Sequence, residues 1–461
     1  MIRLFKHYIP YAVVLMGLID LVLLVMAAEI AWHVRAAQVE MSLGTLLGRT
    51  SLLMSFALVV WLAMISVGIY GTEAVRSMRF AAARLLVAIS LGVIAHSVLD
   101  FLLPGVTLWR STLAYAVGLS FVALMGNRIV ISKMLGMDAF RRRIVVLGAG
   151  QRAQRLAELA KRPESGFQIV ANIAMSEAGR TMHHAIARDG IADLGQFVAE
   201  QRATEVVLAI EERRNSLPLK DLVRVKTKGV HVNEFSSFME RETGRVDLDT
   251  LNPSWLIFSD GFSSGRAISS VAKRAFDIVA SGLLLLITFP IIGLFAVLVK
   301  LDSKGPAFFR QQRVGLYGET FDVIKLRSMR TDAEKDGAKW ASKDDPRITR
   351  LGKFIRKVRI DELPQTWSVL KGEMSFVGPR PEVPAFVAEL DRQLPYYAER
   401  HMVKPGITGW AQINYPYGAS IEDSRHKLEY DLYYAKNYTP FLDLLILLQT
   451  LRVILWPDGA R

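Results

Sequence analysis

The chain has 461 residues, 51% hydrophobic and 22% charged, a length that supports several domains and an apolar content that excludes a disordered chain. Long uncharged runs crowd the N-terminal third, which excludes a wholly soluble protein. There are 57 Lys and Arg against 44 Asp and Glu, a net charge of +13 that suits phosphates, nucleotides or lipid headgroups, and the absence of cysteine excludes disulfides, thiolate metal sites and cysteine nucleophiles.

Four apolar runs lie near residues 8–30, 51–70, 81–103 and 107–131. Each is long enough to cross a hydrocarbon core of roughly 30 Å as a helix. The first is too long for a cleavable signal and no small-residue cleavage site follows it. A four-span bundle over 1–135 is therefore expected. Asp20, Glu29, His96 and Asp100 fall in or near the spans, where charge serves either function or helix pairing. Arg3 and Lys6, Arg76 and Arg79, and Arg128, Lys133 and Arg141–Arg143 flank alternate ends of the runs. This pattern puts both ends of the bundle in the cytoplasm.

Residues 141–150 read as a β-branched strand running into glycines, and 151–161 read as a helix. Gly148, Gly150 and Ala153 form a G-x-G-x-x-A turn, whose backbone N–H groups could receive a pyrophosphate. Further strands are expected at 167–174, 205–210 and 230–235, giving a small Rossmann-like cytoplasmic domain over 142–250. The acidic residue that would hold a ribose is missing where the second strand ends, at Ile173-Ala174-Met175, and Glu177 lies past it. The domain is read as structural or regulatory, with a bound nucleotide left open. Asn252-Pro253 and Ser263-Ser264-Gly265 mark a linker over 251–266.

A fifth apolar run, Ile278–Val299, is flanked by basic residues at both ends and carries Pro290 in its middle. Proline removes a helix hydrogen bond and favours a kink. A helix near 275–300 that dips into the bilayer and returns on the same side fits both facts, and a kinked full span remains an alternative. A cation-rich stretch follows, including Arg310, Arg313, Lys325, Arg327, Arg347, Arg356 and Arg359. Clustered cations favour several phosphates. Within the stretch lies Asp361-Glu362-Leu363-Pro364-Gln365. One carboxylate could attack phosphorus while the other holds a divalent metal or moves a proton. Pro364 suggests a helix start, where both could converge. Pro440–Trp456 is apolar but short and interrupted, and reads as an interfacial amphipathic helix.

Six motifs occur in order: Lys273-Arg274-Ala275-Phe276-Asp277, Gln312-Arg313-Val314-Gly315, Lys325-Leu326-Arg327-Ser328-Met329, Asp361-Glu362-Leu363-Pro364-Gln365, Gly378-Pro379-Arg380-Pro381 and Pro405-Gly406-Ile407-Thr408-Gly409-Trp410. Together they resemble the bacterial sugar transferase family, whose members are polyprenol-phosphate hexose-1-phosphate transferases. The resemblance covers about 268–461. The four spans and the Rossmann-like domain resemble the family's large membrane form. Tyr415-Pro416-Tyr417-Gly418-Ala419-Ser420 resembles the exopolysaccharide (EpsB-like, PEP-CTERM-associated) subgroup.

The resemblance implies a phosphotransferase that moves hexose-1-phosphate from a UDP-sugar to undecaprenyl phosphate and releases UMP. It implies Asp361 as nucleophile, forming an aspartyl-phosphosugar intermediate, and Glu362 as the Mg²⁺ ligand. It implies Arg356, Arg380, Lys325 and Arg327 as phosphate-binding residues. Lys273, Arg274 and Asp277 would cap a re-entrant helix that contains Pro290, in a mainly α catalytic domain over 267–461. It also implies a homodimer in the bacterial inner membrane, with the catalytic domain on the cytoplasmic face, starting exopolysaccharide or related glycan assembly. Many relatives carry a basic residue after the Gln412-Ile413-Asn414 stretch, where this chain has Tyr415-Pro416-Tyr417. The alternatives are a nucleotide-sensing membrane scaffold and an NAD-dependent sugar-modifying enzyme. The missing ribose ligand and the absence of a downstream Tyr-x-x-x-Lys weigh against the second. No nucleic-acid-binding motif accompanies the charge.

Overall fold

The computed structural model describes residues 2–4, 7–9, 11–40, 42–70, 78–103, 105, 108–134, 141–162, 165–175, 181–182, 184–211, 217–251, 267–333, 345–416, 418 and 420–455. Glu177, Tyr417 and the linker expected over 251–266, apart from Leu251, lie outside them. The chain divides into two compact units, Met1–Gly244 and Arg245–Arg461.

The first unit opens with a short antiparallel pair, β1 (Ile2–Leu4) and β2 (His7–Ile9). Four long apolar helices follow: α1 (Tyr11–Gln38), α2 (Leu46–Val67), α3 (Met78–Leu102) and α4 (Arg110–Met134). Leu24 and Ala28 of α1, Phe56 and Met64 of α2, Leu85 and Ala88 of α3, and Ala116 and Leu124 of α4 share one buried cluster. Each of the four is long and apolar enough to cross a membrane, as is one helix of the second unit.

Polar groups tie the bundle together. Asp20 on α1 is fully buried, accepts from the Arg128 guanidinium at 2.6 Å and from Asn127 Nδ2 at 2.8 Å, and so joins α1 to α4. Glu29 takes both Nε and Nη2 of Arg49, whose Nη1 donates to the carbonyls of Leu43 and Gly44. These two acidic residues are used for pairing within the bundle. A buried charge requires such a partner.

Beyond the bundle a parallel sheet is built from β3 (Arg142–Leu147), β4 (Phe167–Ala174), β5 (Ile186–Ala187), β6 (Glu205–Leu208) and β7 (His231–Glu234). Its order is β5-β4-β3-β6-β7. Helices α5 (Gln151–Lys161), α6 (Leu194–Glu200), α7 (Leu219–Thr227) and α8 (Phe235–Thr243) alternate with the strands. Val145 and Leu147 of β3 enter one core with α6 and α7, while Ile144 and Val146 enter the other with α5 and α8. A parallel strand buried on both faces needs this continuous apolar run. The reversal of strand order at β3 is that of a doubly wound sheet.

The second unit carries α9 (Ala267–Asp302), the hairpin β8 (Phe308–Val314) and β9 (Thr320–Leu326), and α10 (Arg350–Lys357). A 3-10 turn, Ile360–Gln365, runs into α11 (Thr366–Lys371). Then come β10 (Ser375–Val377), α12 (Pro384–Gln393) and β11 (Gly406–Thr408), which pairs in parallel with β10. Helices α13 (Trp410–Asn414), α14 (Ile421–Asn437) and α15 (Pro440–Leu455) complete it. A reciprocal Ser420–Asp423 capping box starts α14.

Residues 245–250, expected in the middle domain, belong instead to this unit. Val246 and Leu248 are buried with Leu390, Leu428 and Leu432, and Val246 N donates to Glu429 O at 3.0 Å. The reason is apolar: alternate side chains of the segment find their core on α12 and α14.

The Lys273-Arg274-x-x-Asp277 motif fixes the start of α9. Lys273 Nζ donates to Asp443 at 2.5 Å and to Val377 O at 3.0 Å. Arg274 donates to the carbonyls of Val369 and Leu370 at the end of α11. Asp277, 2% exposed, accepts from Ser375 Oγ and Phe376 N. At the far end of α9, Val299 is buried with Leu326 and Ile355, and Phe295 stacks on Phe354. Between these seats Leu286, Ile287 and Phe289 are exposed. In α15, Leu442 and Ile446 face the core while Asp443 is held by Lys273 and by Tyr434 Oη at 2.7 Å.

Candidate active site

The site is built on the 3-10 turn between α10 and α11. Arg359, the residue that leads into it, has φ 60°, a left-handed conformation disfavoured for a side chain with a Cβ. That reversal starts the turn, and Asp361 and Glu362 occupy its first turn. Asp361 is 8% exposed, and its Oδ1 has no hydrogen-bond partner among the described residues. Burial first, then the neighbouring Glu362 charge, raise its pKa, while Lys325, Arg356 and Arg359 act to lower it. The result is a more basic carboxylate than an ordinary aspartate.

Glu362 is the opposite case. Burial alone would raise its pKa, but Arg380, Lys325 and Arg359 outweigh it and hold the carboxyl well below the usual range. Its Oε1 stands 3.2 Å from Arg380 Nη2, 3.4 Å from Lys325 Nζ and 3.8 Å from Arg359 Nη1. Burial depresses the Lys325 ammonium in turn; Glu362 opposes the shift, and Arg380 and Arg313 add to it. Two adjacent carboxylates thus have their pKa values pushed apart, the pattern by which one site assigns different roles to like groups.

A small cleft beside the pair is lined by Arg313, Lys325, Gln365 and Arg380 among others. Arg380 reaches it through a close backbone contact. A Cβ on Gly409 would stand 2.2 Å from Gly378 O, and one on Gly378 would stand 2.2 Å from Lys404 O. Both motif glycines are needed so that the segment after β10 can touch the chain on either side of β11.

Asp361, Glu362, Lys325, Arg356 and Arg380 are brought together as the sequence led one to expect. Arg327 is not. Its guanidinium donates to Lys304 O at 2.5 Å and Ser303 O at 2.7 Å, capping the C-terminal end of α9. The free carbonyls there attract a cation, so Arg327 is corrected from a phosphate ligand to a helix cap. Arg327→Gln is expected to lower unfolding free energy by about 1–3 kcal/mol while leaving the KM for the donor within about twofold; denaturation and steady-state kinetics on the same variant check both. Arg347 is likewise engaged internally, with Asp345 at 2.6 Å. The sequence placed Arg313 and Arg359 only in the general cation cluster and gave Gln365 no role. The only available signal for Arg359 was its place two residues before Asp361.

The glycine turn of the first unit is set by the backbone. Gly148 has φ 137°, and a Cβ there would stand 2.5 Å from Ala209 O. Gly150 precedes α5, but the Arg152 N–H at that helix start donates to Glu211 Oε1 at 3.3 Å. Ala149 O accepts from Thr181 N and Met182 N, and β4 ends without an acidic side chain. The helix-start donor of Arg152 is thus already used within the domain. Among the described residues no three His, Asp or Glu side chains converge as a metal cage. The Asp361–Glu362 pair, with its orphaned buried oxygen, does fit a hard cation that draws most ligands from phosphates and water.

Buried carboxylates among converging cations, beside an apolar helix long enough to cross a membrane, form a setting suited to phosphate groups. The family model described as bacterial sugar transferase matches residues 268–457, and one described as CoA-binding domain matches 65–225. An uncharacterised sugar transferase, EpsL, of Bacillus subtilis (strain 168) is 44% identical over 195 residues, 41% of this chain and 91% of the relative. The UDP-N-acetylgalactosamine-undecaprenyl-phosphate N-acetylgalactosaminephosphotransferase of Aeromonas hydrophila is 44% identical over 240 residues, 52% of this chain and 56% of the relative. The undecaprenyl-phosphate glucose phosphotransferase of Komagataeibacter xylinus is 46% identical over 186 residues, 39% of this chain and 35% of the relative. The chain thus spans about half the length of the Aeromonas relative and about a third of the Komagataeibacter one. The chain belongs to the bacterial sugar transferase family.

Proposed function

We propose that the protein transfers a hexose-1-phosphate from a UDP-sugar to undecaprenyl phosphate, releasing UMP. The observation that carries this reading is the buried Asp361 carboxylate, with one oxygen unpartnered and its basicity raised, in a setting of cations. Its oxygen attacks the sugar-proximal phosphorus. The bond from that phosphorus to the bridging oxygen breaks, and UMP leaves with the electron pair. A phosphate oxygen of the polyprenol then attacks the same phosphorus and frees the aspartate. The product is a lipid diphosphate sugar. Arg356 and Lys325 offset charge near the reacting phosphorus, and Arg380 is held on Glu362 within reach of the same cleft. Glu362, with Asp361 beside it, would hold Mg²⁺, which when bound neutralises charge on the diphosphate.

The apolar helices support a multi-pass membrane protein, and the basic residues that flank alternate ends of the spans, with the family resemblance, support the bacterial inner membrane with this site on the cytoplasmic face. Helix α9 supports the re-entrant geometry. A straight helix of 36 residues would run about 54 Å. Yet Arg274 near its start binds the end of α11, whose Val369 packs on Val323 of β9, and Val299 near its end packs on Leu326 of the same strand. Those seats are close together, so we place a bend at Pro290 and the exposed Leu286, Ile287 and Phe289 in lipid. A homodimer and a role in starting exopolysaccharide assembly belong to the same reading, supported by the resemblance to the large family form. The relatives are named for different sugars, so the hexose is left to experiment.

The test is nucleotide release from full-length protein in nanodiscs, with Mg²⁺, undecaprenyl phosphate and a panel of UDP-sugars. UMP from one donor, dependent on the lipid phosphate, is expected. UDP in its place would overturn the reading. The pH dependence has a definite sign. The nucleophile must be ionised, and burial and Glu362 raise the Asp361 pKa. The acidic limb of kcat/KM is therefore expected above the ordinary aspartate value of about 3.9. Glu362 stays ionised and adds no second limb there.

A further inference from the structure

The run Pro379-Arg380-Pro381-Glu382 has two prolines and so lacks two backbone donors. It cannot be held as a ladder strand. Yet each of its four carbonyls has its own donor. Pro379 O accepts from Gly406 N at 2.9 Å and Glu382 O from Val314 N at 2.9 Å. The middle two accept from guanidiniums. Arg380 O takes Arg400 Nη2 at 3.0 Å, and Pro381 O takes Arg313 Nη1 at 3.0 Å.

Each of these arginines is anchored elsewhere. Arg400, 5% exposed, donates Nε and Nη2 to Asp431 Oδ2 at 3.0 and 2.7 Å and Nη1 to Tyr397 Oη at 3.2 Å. Arg313 donates Nη2 to Gln311 Oε1 at 2.5 Å and meets Glu382 Oε2 at 3.4 Å. We propose that Arg313 and Arg400 are positioning residues, a two-guanidinium clamp on the Arg380 and Pro381 carbonyls that sets where the Arg380 side chain meets Glu362. This deepens the transferase reading and rests on it for its kinetic consequence. A planar fork with several donors can bind an anchor and a carbonyl at once, which an ammonium on a flexible stem does poorly. A side chain aimed from a backbone displaced by about 1 Å can cost on the order of a hundredfold in rate.

Arg313→Lys and Arg400→Lys in the full-length protein in nanodiscs test this. Both keep the charge, and Arg400→Lys keeps a partner for Asp431. Two readouts are taken: amide exchange over Gly378–Glu382, and kcat and KM separately with the donor that turns over. The expected result is exchange faster by about tenfold and kcat/KM lower by about ten- to a hundredfold. The loss should fall on kcat more than on KM, because a misaimed Arg380 keeps its charge beside the cleft but no longer meets Glu362 in place. Lost activity with unchanged exchange would overturn the clamp and make Arg313 a substrate contact through the cleft it lines. Faster exchange with kcat unchanged would overturn the link to the Arg380 side chain. If the wild type turns over no donor, the transferase reading fails separately, and unchanged exchange in the variants would still overturn the clamp.

Discussion

Asp361→Asn is expected to lower donor turnover by about a thousandfold or more while leaving the fold intact. An amide of the same shape cannot form the bond to phosphorus. The stability effect should go the other way. Asp361 is buried, lies beside the ionised Glu362, and has an oxygen without a partner. Its raised pKa means that the folded state disfavours the charge. Replacing the charge by a neutral amide should leave stability unchanged or raise it, the usual trade at a strained functional group. Nucleotide release and chemical denaturation of the same preparation measure both effects. Residual turnover within tenfold of wild type would rule out Asp361 as nucleophile.

The second large effect concerns the Arg400–Asp431 pair. Both residues are almost wholly buried, and burial raises the Asp431 pKa against the pull of Arg400. Arg400→Met leaves Asp431 as an uncompensated buried charge, and a loss of about 3–5 kcal/mol in unfolding free energy is expected. Arg400→Met combined with Asp431→Leu removes both charges and should recover most of that loss. The double variant should still turn over slowly, because the Arg380 carbonyl has lost its donor. Denaturant titration of the two variants, with kinetics on the stable one, separates the energetic role of the pair from its positioning role. Full activity in the double variant would contradict the positioning role.

Much of this was legible in the residues. The strand that runs into Gly148 and Gly150 announces a parallel sheet, because an apolar strand ending in glycines has few other uses. Asp361-Glu362 before Pro364 announces a turn with paired carboxylates. The long apolar runs give four helices of the first unit and α9 directly. What failed to show were uses of charge that depend on distant backbone. Arg327 lies two residues from Lys325 and reads the same way, yet one points to Glu362 and the other to the carbonyls at the end of α9. Alternation along β9 puts them on one face only while the strand lasts, and it ends at Leu326. Arg313 read as one of a cluster of phosphate cations and Arg400 carried no reading at all, because carbonyls left over by two prolines carry no sequence mark. Residues 245–250 read as the tail of the sheet domain, since only the packing of Val246 and Leu248 shows which core they join.

The most direct test is to look for the bond itself. Full-length protein in nanodiscs would be incubated with the active UDP-sugar and Mg²⁺ but no polyprenol phosphate, quenched in acid, and its peptides weighed. A gain of one hexose phosphate on the peptide that contains Asp361, discharged when undecaprenyl phosphate is added and absent from Asp361→Asn, is the expected result. Turnover in the complete system with no adduct on that peptide under any quench, or an adduct that persists in Asp361→Asn, would contradict the covalent mechanism.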